Sequence, residues 1–459
     1  MAVPAYLGYP QQLAADRLTA RALQRRGIEA VNWGIPVVNY DRMLQALIKA
    51  KGAANQIVFW SGLSDWKNQT LTPNPDVLYF MPFFNTKHVG PMVLEIPAAD
   101  DGSMTGTVMD CWQDALEDVG PAGVDRGKGG KYLILPPDCT FRVPDSYIVL
   151  PSMTYQGYAV LRSIPASRST RDIARAVVYG QRIKLYPLSQ AEHPPETTFV
   201  DVIDRVFDAT IPYDFRFFES LHRMIQIEPW LDRDKIEIDL LKSVGIEKDK
   251  PFTPDPPAQD ALTAAAREAQ HWFNARLESA FPPYYAHGHW SLSAPPEFVE
   301  TQATFFEKPG AYAVDGRGLA YSHAFSSMKH PGSGQFDMWA FRARDGGAFD
   351  GGTTYRLTVP RDVPVTQGWS AAVYDRDRHS FIRNVSHPGC SSQTPGLLEN
   401  DDGSVDIYFG PRARAGDASN WIPTIASGQW EIAFRFYGPG KALFDKTWKL
   451  PDIEKVRVL

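Results

Sequence analysis

The stretch NQTLTPNPDVLYFMPFFNT, residues 68–86, sets two prolines, an asparagine and an aspartate directly against a run of aromatic and aliphatic residues. Pro73 and Pro75 stiffen the approach by fixing φ, and the run behind them is rich in residues that favour strands. The pattern predicts a strand from about 76. Strand side chains alternate, so Asn74 and Asp76 are expected on one face with Leu78, and Val77, Tyr79 and Met81 on the other. Working forward to about residue 163, DVLYFMPFF is followed by PMVLEIP, TGTVMDCW, KYLILPP, YIVLPS and YQGYAVLRS, separated by Gly, Pro and Asp turns. Short strands at this spacing predict a β-barrel or sandwich.

Outside this region the apolar period changes. Leu13, Leu18 and Leu23, then Met43, Leu44, Leu47 and Ile48, predict helices over 11–31 and 39–51. SRSTRD introduces a helix over 169–186, with a Ser or Thr cap and Asp172 in its first turn. A further helix is expected over 213–226, and a shorter one ends at Gly245. The proline-rich PFTPDPP marks a boundary, after which helices are predicted over 260–281 and 317–329. Residues 335–449 return to strands, with hairpins expected in SAAVYDRDRHSFIRN and LLENDDGSVDIYF. The expected fold class is mainly β with helical segments, α+β, in two units: 1–255 and 256–459.

Composition narrows the function. A net charge of -6 with no basic block excludes a phosphate-backbone partner, so no nucleic acid is expected. The 37 prolines, 35 glycines, 12 tryptophans, 19 tyrosines and 25 phenylalanines favour turns and aromatic-lined cavities, hence a small-molecule ligand. Three cysteines, Cys111, Cys139 and Cys390, are too few for a disulfide framework and include no C-x-x-C pair. No window reaches about 18 uncharged apolar residues, so no membrane span is expected. The N-terminus lacks a signal-peptide pattern, but a mature exported domain begins the same way. Both a cytoplasmic and a periplasmic or secreted location stay open.

The chemistry-bearing residues fall into three groups. Asp110, Trp112 and Asp114 in MDCWQD would share a face if the strand continues that far, and Asp76 is a further carboxylate. Two acids beside a dry aromatic wall have their pKa values pushed apart, which suits a general acid and base, with Trp112 as a platform for the substrate. The plainer alternative has these acids capping turns and Trp112 in the core. Around them, Asn74, Tyr79, Lys128, Arg182 and Tyr186 are candidate substrate-binding residues. Lys128, with Arg126 and Lys131, sits among glycines in GVDRGKGGKYLILPP, a loop able to close over an anionic group or simply a solvated turn.

His287 and His289 in YYAHGHWSL suit two metal ligands on one extended face, with a third from His323, His330, His379 or His387. A divalent metal is therefore open but not favoured. Ser326 and Lys329 match S-x-x-K without its companion elements, and Cys390 lies three residues from His387. There is no G-x-S-x-G elbow, no P-loop and no dinucleotide-binding glycine turn, so no nucleotide cofactor is expected.

TPNPDVLY, LEIPAADDGSMTGTVMDCWQDALEDVG, KYLILPPD and IEPWLDRDKIEIDLLKSVGIEKDKPF in the first half carry a resemblance to a known family. In the second half GTTYRLTVPRDVPVTQGWSAAVYDRDRHSFIRN, ENDDGSVDIYFGP, NWIPT and WEIAFRFYGPGKALFDKTWKLPDI carry it further. The chain resembles the two-domain family in which domain of unknown function 1254 is followed by domain of unknown function 1214. The resemblance implies two antiparallel β-barrel or jelly-roll-like domains joined by helices, a homo-oligomer, and members that carry export signals. It implies no reaction. Relatives tend to have Asn-x-Asp-Thr in the opening stretch; here Val77 stands in place of that threonine.

Two function classes follow. One is a hydrolase acting on a small organic substrate in the N-terminal barrel, with Asp76, Asp110 and Asp114 as acid and base candidates. The other is a non-catalytic ligand-binding or envelope-associated oligomeric protein.

Overall fold

A computed structural model describes residues 15–456 except 138, 141, 142, 144, 304–311, 325–327, 331–333, 414, 415 and 417. The N-terminal region contains β1 (Ile57–Phe59), β2 (Asn68–Gln69), β3 (Leu78–Asn85), β4 (Met92–Ile96), β5 (Met104–Asp110) and β6 (Ala115–Val119). It continues with β7 (Gly130–Leu135), β8 (Ile148–Pro151), β9 (Gln156–Ser163), β10 (Lys184–Pro187), β11 (Phe199–Asp201) and β12 (Phe207–Asp208). They form a six-stranded sheet, β11-β1-β3-β9-β5-β6, a four-stranded sheet, β10-β4-β7-β8, and the small pair β12-β2. Phe59, Leu78, Phe80, Val108 and Leu161 of the larger sheet meet Met92, Leu94, Tyr132, Ile134 and Leu150 of the smaller one in a single apolar core.

The C-terminal region repeats this plan with β13 (Trp290–Ser291), β14 (Gln335–Ala340), β15 (Tyr355–Val359), β16 (Val365–Asp375) and β17 (Ser380–Phe381). Its remaining strands are β18 (Gly389–Ser391), β19 (Val405–Gly410), β20 (Trp421–Pro423), β21 (Trp430–Pro439) and β22 (Glu454–Lys455). One sheet runs β13-β14-β21-β16-β17, with β18 also paired to β16, and the other β20-β19-β15-β22. The side chains between them, among them Tyr355, Ile407, Phe409, Trp430 and Phe434, make a second core.

Most of the helices pack between the two sheet pairs, while α2 joins the first core and α8 the second. They are α1 (Ala15–Lys49), α2 (Thr170–Gly180), α3 (Phe215–Ile227), α4 (Lys235–Leu241), α5 (Pro256–Ala280), α6 (Pro296–Ala303), α7 (Val314–His323) and α8 (Lys441–Phe444). Residues of α1, α3, α4, α5 and α7 share one cluster with Met81, Phe83, Met109 and Tyr158 of the first region and Trp339, Tyr374, Phe381 and Ala433 of the second. Each large sheet therefore buries one face against its partner sheet and the other against helices, so its strands read as nearly continuous apolar runs.

Several local expectations change in three dimensions. The two helices expected before residue 51 are one 35-residue helix that runs through Pro36. Residues 31–40 are all buried, so packing from every side holds a helix that proline would otherwise interrupt. Ser169 caps α2 by accepting from the Asp172 N–H, as expected, but the helix ends at Gly180 because 184–187 pairs with β4 as β10. The β16–β17 hairpin forms, whereas LLEN adds no strand to β19. The α+β class stands, but the sheets are not wholly antiparallel: β1–β11, β2–β12, β7–β8 and β19–β20 pair parallel.

After the two residues of β2, the opening stretch enters no further strand until Leu78. Asn74 and Asp76 do not share a strand face; the Asn74 side chain accepts the Asp76 N–H at 2.9 Å in a local turn. That turn docks on the far half of the molecule. Asn74 Nδ2 donates to the Tyr437 hydroxyl at 2.8 Å, the Tyr374 hydroxyl donates to the Pro73 carbonyl at 2.7 Å, and Arg435 donates to the Thr72 carbonyl at 3.2 Å. The polar residues beside the aromatic run thus form part of the contact between the two β-rich regions.

Candidate functional site

Asp110 and Asp114 are brought together by a turn, not by strand alternation. β5 ends at Asp110, the Gln113 N–H donates to the Asp110 carbonyl at 3.0 Å, and Gln113 takes a positive φ of 63°. Asp110 Oδ1 then accepts the backbone N–H groups of Trp112 at 2.8 Å and Asp114 at 3.0 Å. Cys111 belongs to this turn and is fully buried, in the core as its neighbours suggest.

Residues distant in sequence close over the turn. Asp114 lies 2.7 Å from Arg233 Nη1 and 3.4 Å from Arg317 Nη2, and Arg317 also donates to the Trp112 carbonyl at 3.0 Å. Asp234 accepts from the Trp33 indole at 3.0 Å and from the Tyr312 hydroxyl at 2.5 Å. The Trp33 and Trp112 rings are 4.7 Å apart. Two arginines and two aspartates balance in charge, leaving Asp110 as the extra acid. Burial, with the nearby Asp114 charge and against the pull of Arg233, pushes the Asp110 carboxyl up to about 8. Asp110 Oδ2 and the Trp112 indole nitrogen are buried and have no hydrogen-bond partner among the described residues. Arg233 and Arg317 were missed in the sequence because nothing local in LDRDK or DGRG marks them; only the fold brings them to the acids.

The other candidates are distributed elsewhere. Asp76 pairs with Arg168 at 2.9 Å, which also reaches Ser391 at 3.4 Å, and the Tyr79 hydroxyl accepts the Asn74 N–H at 2.8 Å. These three residues serve the contact between the two halves. Lys128 is exposed, Arg182 pairs with Asp100 and Asp101, and the Tyr186 hydroxyl donates to Glu95 at 2.6 Å. None of these contacts reaches Asp110 or Asp114.

His287 is exposed and His289 offers its backbone N–H to Asp452 at 2.9 Å. His330 meets Glu117 at 3.0 Å and His387 meets the Trp421 carbonyl at 2.6 Å. Cys390 is buried and its thiol points to the Ser419 carbonyl, with its pKa raised by burial to about 11, whereas the His387 ring turns to the Trp421 carbonyl. Of the S-x-x-K pair, Ser326 lies outside the described residues, and Lys329 binds Glu117 at 3.0 Å.

Two of the proposed third ligands do meet. His323 at the end of α7, His379 in the β16–β17 turn and Glu431 on β21 are all buried, and their ligand atoms lie within 4.8 Å of one another. Glu431 Oε1 is 2.9 Å from His323 Nε2 and 2.8 Å from His379 Nδ1.

Comparison with known proteins matches residues 54–187 to the protein of unknown function DUF1254 and residues 334–441 to the protein of unknown function DUF1214, together just over half of the chain. No curated protein matches. The crystal structure of the VPA0106 protein from Vibrio parahaemolyticus is similar over 95% of this chain and 100% of that one, with a TM-score of 0.57 and 17% identity. An uncharacterised protein from Burkholderia cenocepacia aligns over 96% of this chain and 95% of that one at a TM-score of 0.40 and 10% identity. At these identities the first likeness concerns the fold alone.

Proposed function

Because this chain belongs to the two-domain family in which DUF1254 precedes DUF1214, a family whose description names no reaction, we propose a function from the acid turn itself: hydrolysis of a small organic substrate by acid–base catalysis. The observation that carries this reading is Asp110, buried, pushed up to about 8 and with no partner for Oδ2 among the described residues, beside an ion-paired Asp114. Two neighbouring carboxyls in different charge states are what an acid and a base require at neutral pH. Asp110 donates a proton to the leaving group through Oδ2, Asp114 receives one from the attacking water, and Arg233 and Arg317 face developing negative charge. The Trp112 indole N–H orients the substrate. Asp76 stays with Arg168 and takes no part.

To the same reading belong a finer fold of two jelly-roll-like units and a homo-oligomeric state, which light scattering of the purified chain measures directly. Among the described residues no helix is long and apolar enough to cross a membrane.

The test is a panel of nitrophenyl esters and glycosides assayed with the native chain and with Asp110→Asn. Turnover that falls by about 10²–10⁴ in the variant, at unchanged circular dichroism, supports the acid role. Turnover insensitive to Asp110, or none on any substrate, rejects it.

A ligand-binding reading has its own supporting observation. A surface groove of about 270 Å³ is lined by Phe381, Trp430, Arg378, Arg383 and Asp377. Thermal stabilisation by an anionic aromatic ligand, lost in Arg383→Ala and accompanied by no product, would favour it over catalysis.

A further inference from the structure

We propose that His323 Nε2, His379 Nδ1 and a Glu431 carboxylate oxygen bind one divalent transition-metal ion. The acid turn plays no part in this inference. The distances come first. Two ligands held about 2.1 Å from one ion lie roughly 3 Å apart when cis, and the imidazole nitrogens stand 2.9 and 2.8 Å from Glu431 Oε1. Convergence of two imidazoles and a carboxylate suits zinc or iron(II), whereas magnesium and calcium prefer all-oxygen sets.

The outward-facing atoms of His379 and Glu431 are held as metal ligands usually are. His379 Nε2 meets Asn274 Oδ1 at 3.0 Å, which fixes the ring with Nδ1 pointing inward. Arg376 Nη1 donates to Glu431 Oε2 at 3.2 Å and Nη2 to the Asn274 carbonyl at 2.9 Å, so one guanidinium secures both the carboxylate and the Asn274 backbone. Thr72 of the opening stretch clamps both histidine backbones: its Oγ1 donates to the His323 carbonyl at 3.0 Å and its N–H to the His379 carbonyl at 2.6 Å.

The surroundings are buried and aromatic. Trp339 lies 4.4 Å from the His323 ring, centre to centre, with Phe281 and Phe341 completing the wall. His379 holds a positive φ of 51°, a conformation uncommon for a residue with a side chain, and it is this turn that places Nδ1 on the carboxylate. Three protein ligands leave a coordination position for water or substrate, the count found in catalytic rather than structural zinc sites.

The experiment uses the full, tag-free chain stripped with a chelator and titrated separately with zinc, anaerobic iron(II) and cobalt(II). After desalting, metal is counted by inductively coupled plasma mass spectrometry, and cobalt is read by its visible spectrum. The expected result is about one equivalent per chain, absent in His379→Gln and Glu431→Gln. Asn274→Ala, which leaves all three ligands in place, should bind about 10- to 100-fold more weakly. If the ligand variants do not fold, the wild-type cobalt spectrum and the Asn274→Ala titration decide alone. No bound metal in the wild type would overturn the proposal and leave the cluster a buried hydrogen-bond hub. An equivalent retained in the folded ligand variants, or bound equally well by Asn274→Ala, would overturn it too.

Discussion

The Tyr321 hydroxyl donates to the Gln113 carbonyl at 2.7 Å, which ties α7 to the turn that carries both acids. The same helix brings Arg317 to Asp114 and ends in His323 beside Glu431, so one short helix built outside both matched domains joins the two polar clusters.

Asp110 makes stability depend on pH. Its folded pKa of about 8 lies above an unfolded value near 4, so the folded chain keeps a proton that the unfolded chain loses in between. The stabilisation is complete below about 4 and declines as pH rises toward about 8, by at most about 1.4 kcal/mol per pH unit. Urea denaturation of wild type and Asp110→Asn at several pH values measures this. The difference should grow in the variant's favour with rising pH, and parallel curves would contradict it.

Arg317 is buried against Asp114. Arg317→Met leaves that carboxylate with less compensation and should cost about 3–5 kcal/mol in chemical denaturation, since a buried charge stripped of a partner is poorly tolerated. Adding Asp114→Asn should recover part of the loss. A cost below about 1 kcal/mol would mean that Arg233 alone suffices.

Tyr437→Phe removes the hydroxyl that accepts from Nδ2 of the buried Asn74 amide at 2.8 Å. A loss of about 1–3 kcal/mol is expected, the cost of an unsatisfied buried polar group. Limited proteolysis should also cut more readily between the two β-rich regions, and unchanged cleavage would argue that this contact is dispensable.

Thiol reactivity separates the three cysteines. Cys111 and Cys390 are buried and burial raises both thiol pKa values, while Cys139 is partly exposed. Ellman's reagent should modify Cys139 alone in the native protein and all three in urea. Fast native reaction of Cys390 would revive a pairing with His387.

Local signals in the sequence determined a good deal. The Gly- and Pro-punctuated apolar runs marked most strands, Ser169 and Asp172 marked the start of α2, and the quoted motifs led to the family. These are properties of neighbours along the chain, set by dihedral preference and side-chain period. The acids at 110 and 114 were legible as a pair, though their closeness comes from a turn instead of a strand face.

What the sequence left open depended on partners far along the chain. Arg233 and Arg317 reach Asp114, and Glu431 receives His323 and His379, only because the sheets and helices pack against one another. Pro36 inside α1 and the docking of Asn74 on Tyr437 have the same origin. Buried charges and unsatisfied backbone are set by what surrounds them, so their partners and their ionisation were decided by tertiary packing alone.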